Sequence, residues 1–243
     1  MLIHGVGSQW QVWEPVIPLV SQWRDVIALD LPGFGGSPVL PAGVVPNASS
    51  LADAVASFLD SLGISQPVVG GNSLGGWVAL ELAVRGRARA VVGVSPAGFA
   101  TRLESAAAGA SLRTSWRVSR AMPPWGERMM RRPGWRKVAY ASVMGDGSRM
   151  PARAAIEASR NLAASPGFDG TLNQLTRERF TDGERVGVPV TLVWGTRDAI
   201  LFPWQAKRAL RELPRARLVP LPGAGHVPTW EAPDEIAREL LAA

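Results

Sequence analysis

The sequence predicts an α/β fold in which helices flank a mostly parallel sheet. Short apolar runs alternate along the chain with longer segments of helical periodicity, which is the pattern of parallel strands joined by crossover helices. A chain of 243 residues, 47% of them hydrophobic, can bury a large core without disulfides or metals. The chain has no cysteine, which excludes disulfide scaffolds, thiolate metal sites and thiol nucleophiles. Its two histidines are too few for a multi-histidine centre, so we expect no metal site.

Six apolar runs have the length and composition of strands. They are Leu2–His4, Val26–Leu29, Val68–Val69, Ala90–Val94, Val190–Trp194 and Arg217–Leu221. In a first helical segment, the apolar residues from Leu51 to Leu62 recur at i, i+4, i+7, i+8 and i+11, and Gly63 follows where a helix cap is expected. The predicted helices are Ser50–Leu62, Gly75–Arg85, Gln205–Leu213 and Asp234–Leu241.

One long segment interrupts this alternation. Residues 99–180 contain no convincing strand, and we interpret them as a helical cap inserted into a core of residues 1–98 and 181–243. Residues 101–140 carry eight arginines and one lysine against two glutamates, whereas the net charge of the whole chain is only +6. We interpret the excess as a solvated basic face, with a surface that meets acidic substrates or anionic lipid as the alternative. No nucleic-acid-binding module accompanies it, so we expect no nucleic-acid partner.

A serine lies in a glycine-rich turn after the third predicted strand. Gly71-Asn72-Ser73-Leu74-Gly75 matches G-x-S-x-G, and an apolar strand precedes it while a helix follows it. This strand–turn–helix arrangement is that of a nucleophile elbow. The flanking positions are glycine because larger side chains would collide with the strand and the helix around the strained turn. The alternative, a phosphate-binding loop, lacks its Lys-Ser/Thr pair, since Gly76-Trp77 stands there. The sequence therefore favours Ser73 as a nucleophile.

A serine hydroxyl becomes a strong nucleophile only when a base takes its proton and an acid holds that base. His226 follows the last predicted strand, and Asp198 follows the strand before it. The chain order Ser73, Asp198, His226 is the order of the α/β-hydrolase triad. His4 lies in a loop near the other end of the chain, and we assign it a structural role.

The oxyanion of a tetrahedral intermediate needs two preorganised N–H donors. The elbow supplies the amide of Leu74, the residue after the nucleophile. The loop after the first strand, Leu2-Ile3-His4-Gly5-Val6-Gly7-Ser8, is expected to supply the second donor, the amide of Val6.

With these motifs in place, the chain resembles the α/β-hydrolases that carry a helical cap. The resemblance covers nearly the full length, and it implies a Ser/Asp/His triad, a substrate pocket between cap and core, and no cofactor. A serine at the elbow argues against the epoxide hydrolases and haloalkane dehalogenases of this family, whose nucleophile is an aspartate. Five segments carry the likeness in the family's order: Leu2-Ile3-His4-Gly5, Asp30-Leu31-Pro32-Gly33-Phe34-Gly35-Gly36-Ser37, Gly71-Asn72-Ser73-Leu74-Gly75-Gly76, Trp194-Gly195-Thr196-Arg197-Asp198 and Gly225-His226.

The sequence favours a serine hydrolase that cleaves small-molecule esters of apolar or aromatic acids. Two alternatives stay open: a carbon–carbon bond hydrolase of the meta-cleavage type, and a hydrolase-like protein that binds a ligand without turnover. In the carbon–carbon enzymes of the family a cap arginine binds the substrate carboxylate, and Arg160 is the candidate for that role. Trp77, shortly after the nucleophile, and Val227, right after the histidine, are further candidates for substrate contact.

The first residues, MLIHGVGSQW, have neither a basic region nor a sustained apolar run, so we expect no signal peptide and a cytoplasmic location. The uncharged runs 31–52 and 61–80 are broken by Gly, Pro, Asn and Ser, and no membrane association is expected. Family members usually carry two strands before the segment that holds His4. Without them, Val26–Leu29 should form an exposed sheet edge that invites pairing with another chain. The oligomeric state is left open.

Overall fold

A computed structural model of the protein describes all residues, 1–243. It confirms the α/β class: six parallel strands form one sheet, and helices cover both of its faces. The strand order across the sheet is β2-β1-β3-β4-β5-β6. The strands are β1 (Leu2–Ile3), β2 (Ala28–Leu29), β3 (Val68–Asn72), β4 (Ala90–Val94), β5 (Val190–Gly195) and β6 (Arg217–Leu221).

The ten α-helices fall into a core group and a cap group. The core helices are α1 (Ile17–Val20), α2 (Ala48–Ser61), α3 (Leu74–Val84), α9 (Gln205–Glu212) and α10 (Pro233–Ala242). The cap helices, all between β4 and β5, are α4 (Arg102–Arg120), α5 (Pro124–Met130), α6 (Pro133–Ala139), α7 (Ala152–Ala164) and α8 (Phe168–Leu175).

Alternate residues of each strand face opposite sides of the sheet, and each side has its own core. On one side, Ile3, Val91 and Leu192 pack with residues of α2, α3 and α9. On the other, their neighbours Leu2 and Val92 pack with residues of α1 and α10. Both faces of the sheet are therefore buried, which explains why its strands read as continuous apolar runs.

All six predicted strands are present, and their ends differ from the prediction by a few residues. The largest difference is β3, which continues from Val69 to Asn72, because Gly70 and Gly71 weaken the strand pattern in sequence but still pair with β4. Glycine is required at Gly71, since a Cβ there would lie 2.1 Å from the carbonyl oxygen of Gly75.

The first long helix starts two residues before the predicted start. Helix α2 begins at Ala48 because Asn47 caps it: the Asn47 Oδ1 atom accepts a hydrogen bond from the Ser50 amide at 3.0 Å, and the Ser50 hydroxyl accepts one from the Asn47 amide at 3.2 Å. This reciprocal pair is a capping box.

The chain leaves the core for the cap and returns to it at almost the same point. The Phe180 amide donates to the Gly98 carbonyl at 3.1 Å, and the rings of Phe99 and Phe180 meet edge to face with centroids 5.9 Å apart. All six strands lie outside residues 99–180. The two chain ends of the cap therefore lie side by side, although the cap also contacts the core elsewhere, for example through the hydrogen bond from Gly167 to Gly33.

The sheet ends at β2 on one side, as the sequence predicts for Val26–Leu29, although only Ala28 and Leu29 pair with β1. A strand this short offers few free backbone groups to another chain. None of the helices combines the length and the apolar composition that crossing a bilayer requires.

Candidate active site

Ser73 lies between β3 and α3 in a strained turn. Its backbone has φ 54° and ψ −113°, a conformation that residues other than glycine rarely adopt. Main-chain hydrogen bonds stabilise this strained conformation. The Ser73 amide donates to the Val94 carbonyl at 3.0 Å, and the Ser73 carbonyl accepts from the amides of Trp77 and Ala97. This geometry presents the serine at the carboxyl end of the sheet.

Asp198 and His226 come together at the same end of the sheet, from the loops after β5 and β6. The His226 Nδ1 atom donates to Asp198 Oδ2 at 2.8 Å, and both side chains are buried. The other carboxylate oxygen of Asp198 accepts from the amides of Ile200 and Leu201 at 2.9 and 2.8 Å. Because Nδ1 carries the proton, Nε2 of His226 is left as a proton acceptor.

Asn72 fixes the serine turn to the histidine loop. Its Nδ2 atom donates to the carbonyl of His226 at 2.9 Å and to that of Val94 at 3.1 Å. The structure contains no direct hydrogen bond between Ser73 and His226. Such contacts are often long in enzymes without substrate and tighten when substrate binds.

Two amides next to Ser73 have no acceptor in the protein. Leu74 is the first residue of α3, so its N–H has no earlier helical carbonyl to bond, and the N–H of Val6 also donates to no protein atom. The loop that carries Val6 touches the serine, because a Cβ on Gly5 would lie 3.3 Å from the Ser73 Cβ. The predicted oxyanion donors are thus free and close to the serine.

His4 is fully buried and uses both ring nitrogens for structure. Its Nε2 atom accepts from the Leu31 amide at 2.9 Å, so the proton lies on Nδ1, which donates to the Gly5 carbonyl at 2.7 Å. Burial lowers the pKa of His4 to about 4, and the ring stays neutral near pH 7. This histidine braces the loop before Val6, as expected from the sequence.

A small cavity between cap and core opens onto Ser73. Its volume is about 40 Å³, room for roughly three water molecules. Most of its lining is apolar, but it includes the carboxylate-bearing residue Glu178, which the sequence did not indicate. The lining residues are Val6, Ser73, Ala97, Gly98, Ala100, Ser105, Ala108, Gly109, Leu112, Leu172, Leu175, Thr176, Glu178, Ile200 and Leu201.

Arg160, the predicted contact for a substrate carboxylate, does not line this cavity. Its guanidinium forms two hydrogen bonds of 2.7 Å to the carboxylate of Glu127, on the exposed side of the cap. There it lines a separate cleft of about 570 Å³ together with Arg128 and Arg131. The partner of Arg160 is therefore a cap glutamate 33 residues away along the chain, and not the neighbouring Glu157.

The other two predicted contacts, Trp77 and Val227, also do not line the cavity. Trp77 is buried in the core, and its indole N–H donates to Glu81 Oε1 at 3.2 Å. Val227 is half-buried, and its amide donates to the carbonyl of Val143 in the cap at 2.8 Å.

Besides Glu178, two side chains near the site were not predicted from the sequence. Asn72 lies inside the elbow motif, but only the fold brings its amide to the His226 loop. Glu231 accepts hydrogen bonds from three main-chain amides, one of them from Gly225 beside the histidine. No residue pattern signals such a contact, because every residue except proline has a main-chain N–H.

Comparisons with known proteins agree with this geometry. Residues 1–239 match the profile described as the alpha/beta hydrolase family. The chain is 33% identical over 199 residues to Epoxide hydrolase EphH of Mycobacterium tuberculosis, covering 77% of this chain and 90% of that protein. It is 32% identical over 254 residues to the pimeloyl-[acyl-carrier protein] methyl ester esterase of Aromatoleum aromaticum, covering 98% and 94%.

Solved structures show the same architecture. The meta-cleavage product hydrolase from Pseudomonas fluorescens superposes with a TM-score of 0.74 at 22% identity, covering 99% of this chain and 88% of that one. At this identity the match demonstrates a shared fold and leaves the reaction to be argued from the site.

Proposed function

Because the chain belongs to the alpha/beta hydrolase family, we propose that it is a serine hydrolase that cleaves carboxylic esters of short apolar acids. The observation that carries this proposal is the buried hydrogen bond from His226 to Asp198 at the same carboxyl end of the sheet as the strained Ser73. It leaves a neutral imidazole nitrogen on the side away from Asp198, which is what a general base needs.

In this proposal the Ser73 hydroxyl attacks the acyl carbon while Nε2 of His226 takes its proton. The carbonyl π electrons move to the oxygen, and the amides of Val6 and Leu74 stabilise that oxyanion. His226 then gives the proton to the leaving alcohol, and the ester bond breaks to leave an acyl-serine. Water repeats the sequence and releases the acid, while Asp198 holds the imidazole ring and stabilises its charged form.

The cavity supports a neutral, apolar acyl group. Its walls include Leu112, Leu172 and Ile200, whereas the carboxylate side chain among the lining residues, Glu178, would repel a carboxylate on the substrate. No arginine lines the cavity. A meta-cleavage product carries a carboxylate, so the site favours ester hydrolysis over the carbon–carbon alternative.

The epoxide hydrolase relative raises a third reaction. In the family resemblance described above, epoxide opening uses an aspartate nucleophile, whereas this chain has Ser73 at that position. An ester hydrolase is therefore the better fit to the nucleophile present.

The decisive experiment measures hydrolysis of p-nitrophenyl acetate and butyrate by the wild type and by Ser73→Ala. We expect the substitution to lower kcat by at least about 10³-fold without changing the melting temperature, since it removes the atom that forms the acyl-enzyme. Equal rates for the two proteins would refute catalysis by Ser73.

A parallel assay with a meta-cleavage dienone and a styrene-type epoxide tests the other reactions. Arg160→Ala tests the carboxylate-binding role predicted for Arg160, and we expect it to change ester hydrolysis by less than about tenfold, because Arg160 binds Glu127 outside the cavity. Turnover of the dienone faster than that of the butyrate ester, with loss of that activity in Arg160→Ala, would favour carbon–carbon hydrolysis.

A further inference from the structure

The carboxylate of Glu231 links the loop of His226 to the cap. Glu231 Oε2 accepts from the Gly225 amide at 2.9 Å and from the Gly145 amide at 3.2 Å, and Oε1 accepts from the Asp146 amide at 2.8 Å. Gly225 immediately precedes His226, whereas Gly145 and Asp146 belong to the cap. One side chain therefore joins the two segments.

The contact between these segments is as close as main chains allow. A Cβ on Gly225 would lie 2.5 Å from the Gly145 nitrogen, and a Cβ on Gly145 would lie 2.0 Å from the Gly223 carbonyl oxygen. Such distances leave no room for a side chain at either glycine. The close packing removes water from the amides of both segments, and the carboxylate of Glu231 replaces the lost hydrogen bonds to water.

Three consecutive residues, Gly225 to Val227, each form a main-chain hydrogen bond to a different partner. Gly225 donates to Glu231, His226 accepts from Asn72, and Val227 donates to the Val143 carbonyl of the cap at 2.8 Å. With the main chain fixed on both sides of His226, the imidazole ring can meet Asp198 in only a narrow range of orientations. Among the three hydrogen-bond partners, Glu231 is the one with a charged group.

We propose that Glu231 is a positioning residue, which sets the orientation of the His226 imidazole and makes it depend on the seating of cap residues 143–146. The inference rests on the proposed function of His226 as the general base. Glu231 contacts neither Ser73 nor the cavity, so it acts through the main chain of Gly225.

The test uses Glu231→Gln, which keeps the size of the side chain but replaces one acceptor oxygen by an N–H₂ group that faces the amide donors. We expect kcat for p-nitrophenyl butyrate to fall by about 10- to 100-fold with KM within twofold, because a shift of about 1 Å in a catalytic group has effects of this size. Glu231→Asp, which keeps the charge, should recover part of the loss.

Arg149→Ala is the matched control. The Arg149 side chain donates to the main-chain carbonyl of Glu231 at 2.8 Å, so its removal loosens the same cap contact and leaves the carboxylate in place. We expect a smaller than threefold change in kcat. An effect equal to that of Glu231→Gln would show that cap attachment in general, and not the carboxylate, is responsible, and would overturn the proposal.

A spectroscopic reading separates positioning from stability. The chain has only His4 and His226, so ¹⁵N-labelled histidine gives two sets of ring signals. In Glu231→Gln we expect the His226 Nδ1–H signal to shift or broaden while the His4 signals stay unchanged. Unchanged His226 signals in the folded variant would refute the proposal; if Glu231→Gln does not fold, the same comparison in Glu231→Asp decides. This reading needs no substrate, so it remains valid if ester hydrolysis is not found.

Discussion

At the scale of single residues, the two histidines differ in what their second ring nitrogen does. Both donate through Nδ1, His4 to the Gly5 carbonyl and His226 to Asp198. His4 also accepts the Leu31 amide through Nε2, which leaves that ring without a free basic nitrogen. A buried histidine with hydrogen bonds at both ring nitrogens stabilises the fold, whereas one with a free basic nitrogen near a serine can accept a proton.

The pKa of His4 predicts acid sensitivity of the fold. Burial depresses this pKa to about 4 in the folded protein, while the unfolded chain has the ordinary value near 6.5. Below pH 6.5 the unfolded state binds a proton that the folded state does not, so stability is fully present above that pH and is lost as the pH falls towards 4. The loss attributable to this group is about 3 kcal/mol.

The measurement compares urea unfolding of the wild type and His4→Gln between pH 7 and pH 4. The glutamine can still accept the Leu31 N–H but does not titrate, so the variant should lose less stability over this interval. Parallel pH profiles for the two proteins would contradict the depressed pKa.

Sequence patterns identified those residues whose chemistry is rare in the chain. With two histidines and one G-x-S-x-G turn, chain order alone was enough to predict that Asp198 and His226 lie together near Ser73. The contacts of Asn72, Glu178 and Glu231 could not be predicted, because their partners are brought to them only by the fold. The ion pair of Arg160 could not be predicted either, because its partner, Glu127, lies 33 residues away on a different cap helix.

At the scale of elements, the start of α3 presses directly on β1. A Cβ on Gly75 would lie 2.3 Å from the Ile3 carbonyl oxygen and 2.6 Å from that of His4. This contact brings the Leu74 amide close to the loop of Val6. The glycines of the elbow thus serve two purposes, since they permit the turn and they allow the helix to approach the sheet.

Gly75→Ala should therefore destabilise the protein by at least about 2 kcal/mol, because the methyl group meets main-chain atoms that cannot move alone. Gly187→Ala is the control: nothing lies within 4 Å of its added Cβ, and its stability should stay within about 1 kcal/mol of the wild type. Urea unfolding measures both. Equal stability of the two variants would mean that α3 can move away from β1 at little cost.

The order of elements was predictable, but their ends were not. Apolar runs located all six strands, yet the glycines of β3 hid its last three residues, and the Asn47 capping box moved the start of α2. Within the cap, the sequence indicated helices in general and left their bounds open. Its short helices begin at prolines such as Pro124 and Pro133, which fit the first turn of a helix but also occur in loops.

At the scale of the whole molecule, cap and core together determine the space available to a substrate. The cavity at Ser73 has about 40 Å³, whereas sites for larger ligands have roughly 300–1,000 Å³. Each added methylene of the acyl chain must therefore displace more of the residues that line the cavity. We therefore expect kcat/KM to fall steadily from p-nitrophenyl butyrate to the decanoate.

Leu112→Ala tests this size limit. Leu112, on α4, lines the cavity, and its truncation should raise the ratio of octanoate to butyrate kcat/KM by about tenfold, the effect of one or two methylenes in an apolar pocket. Leu103→Ala, on the same helix but exposed, should leave the ratio unchanged. The same ratio in both variants and the wild type would show that chain length is limited elsewhere.

The two ends of the cap meet at Gly98, Phe99 and Phe180, so its chain connections alone would allow another segment to be inserted there. Because the two ends of residues 99–180 already meet, replacing this segment by another of different length costs the core little chain entropy. Exchanging the segment would also remove the contacts of Gly145 and Asp146 with Glu231, so a replacement needs main-chain amides at the same place. A foreign cap grafted between Gly98 and Phe180 would then change the walls of the cavity at Ser73 without lengthening the connections to the sheet.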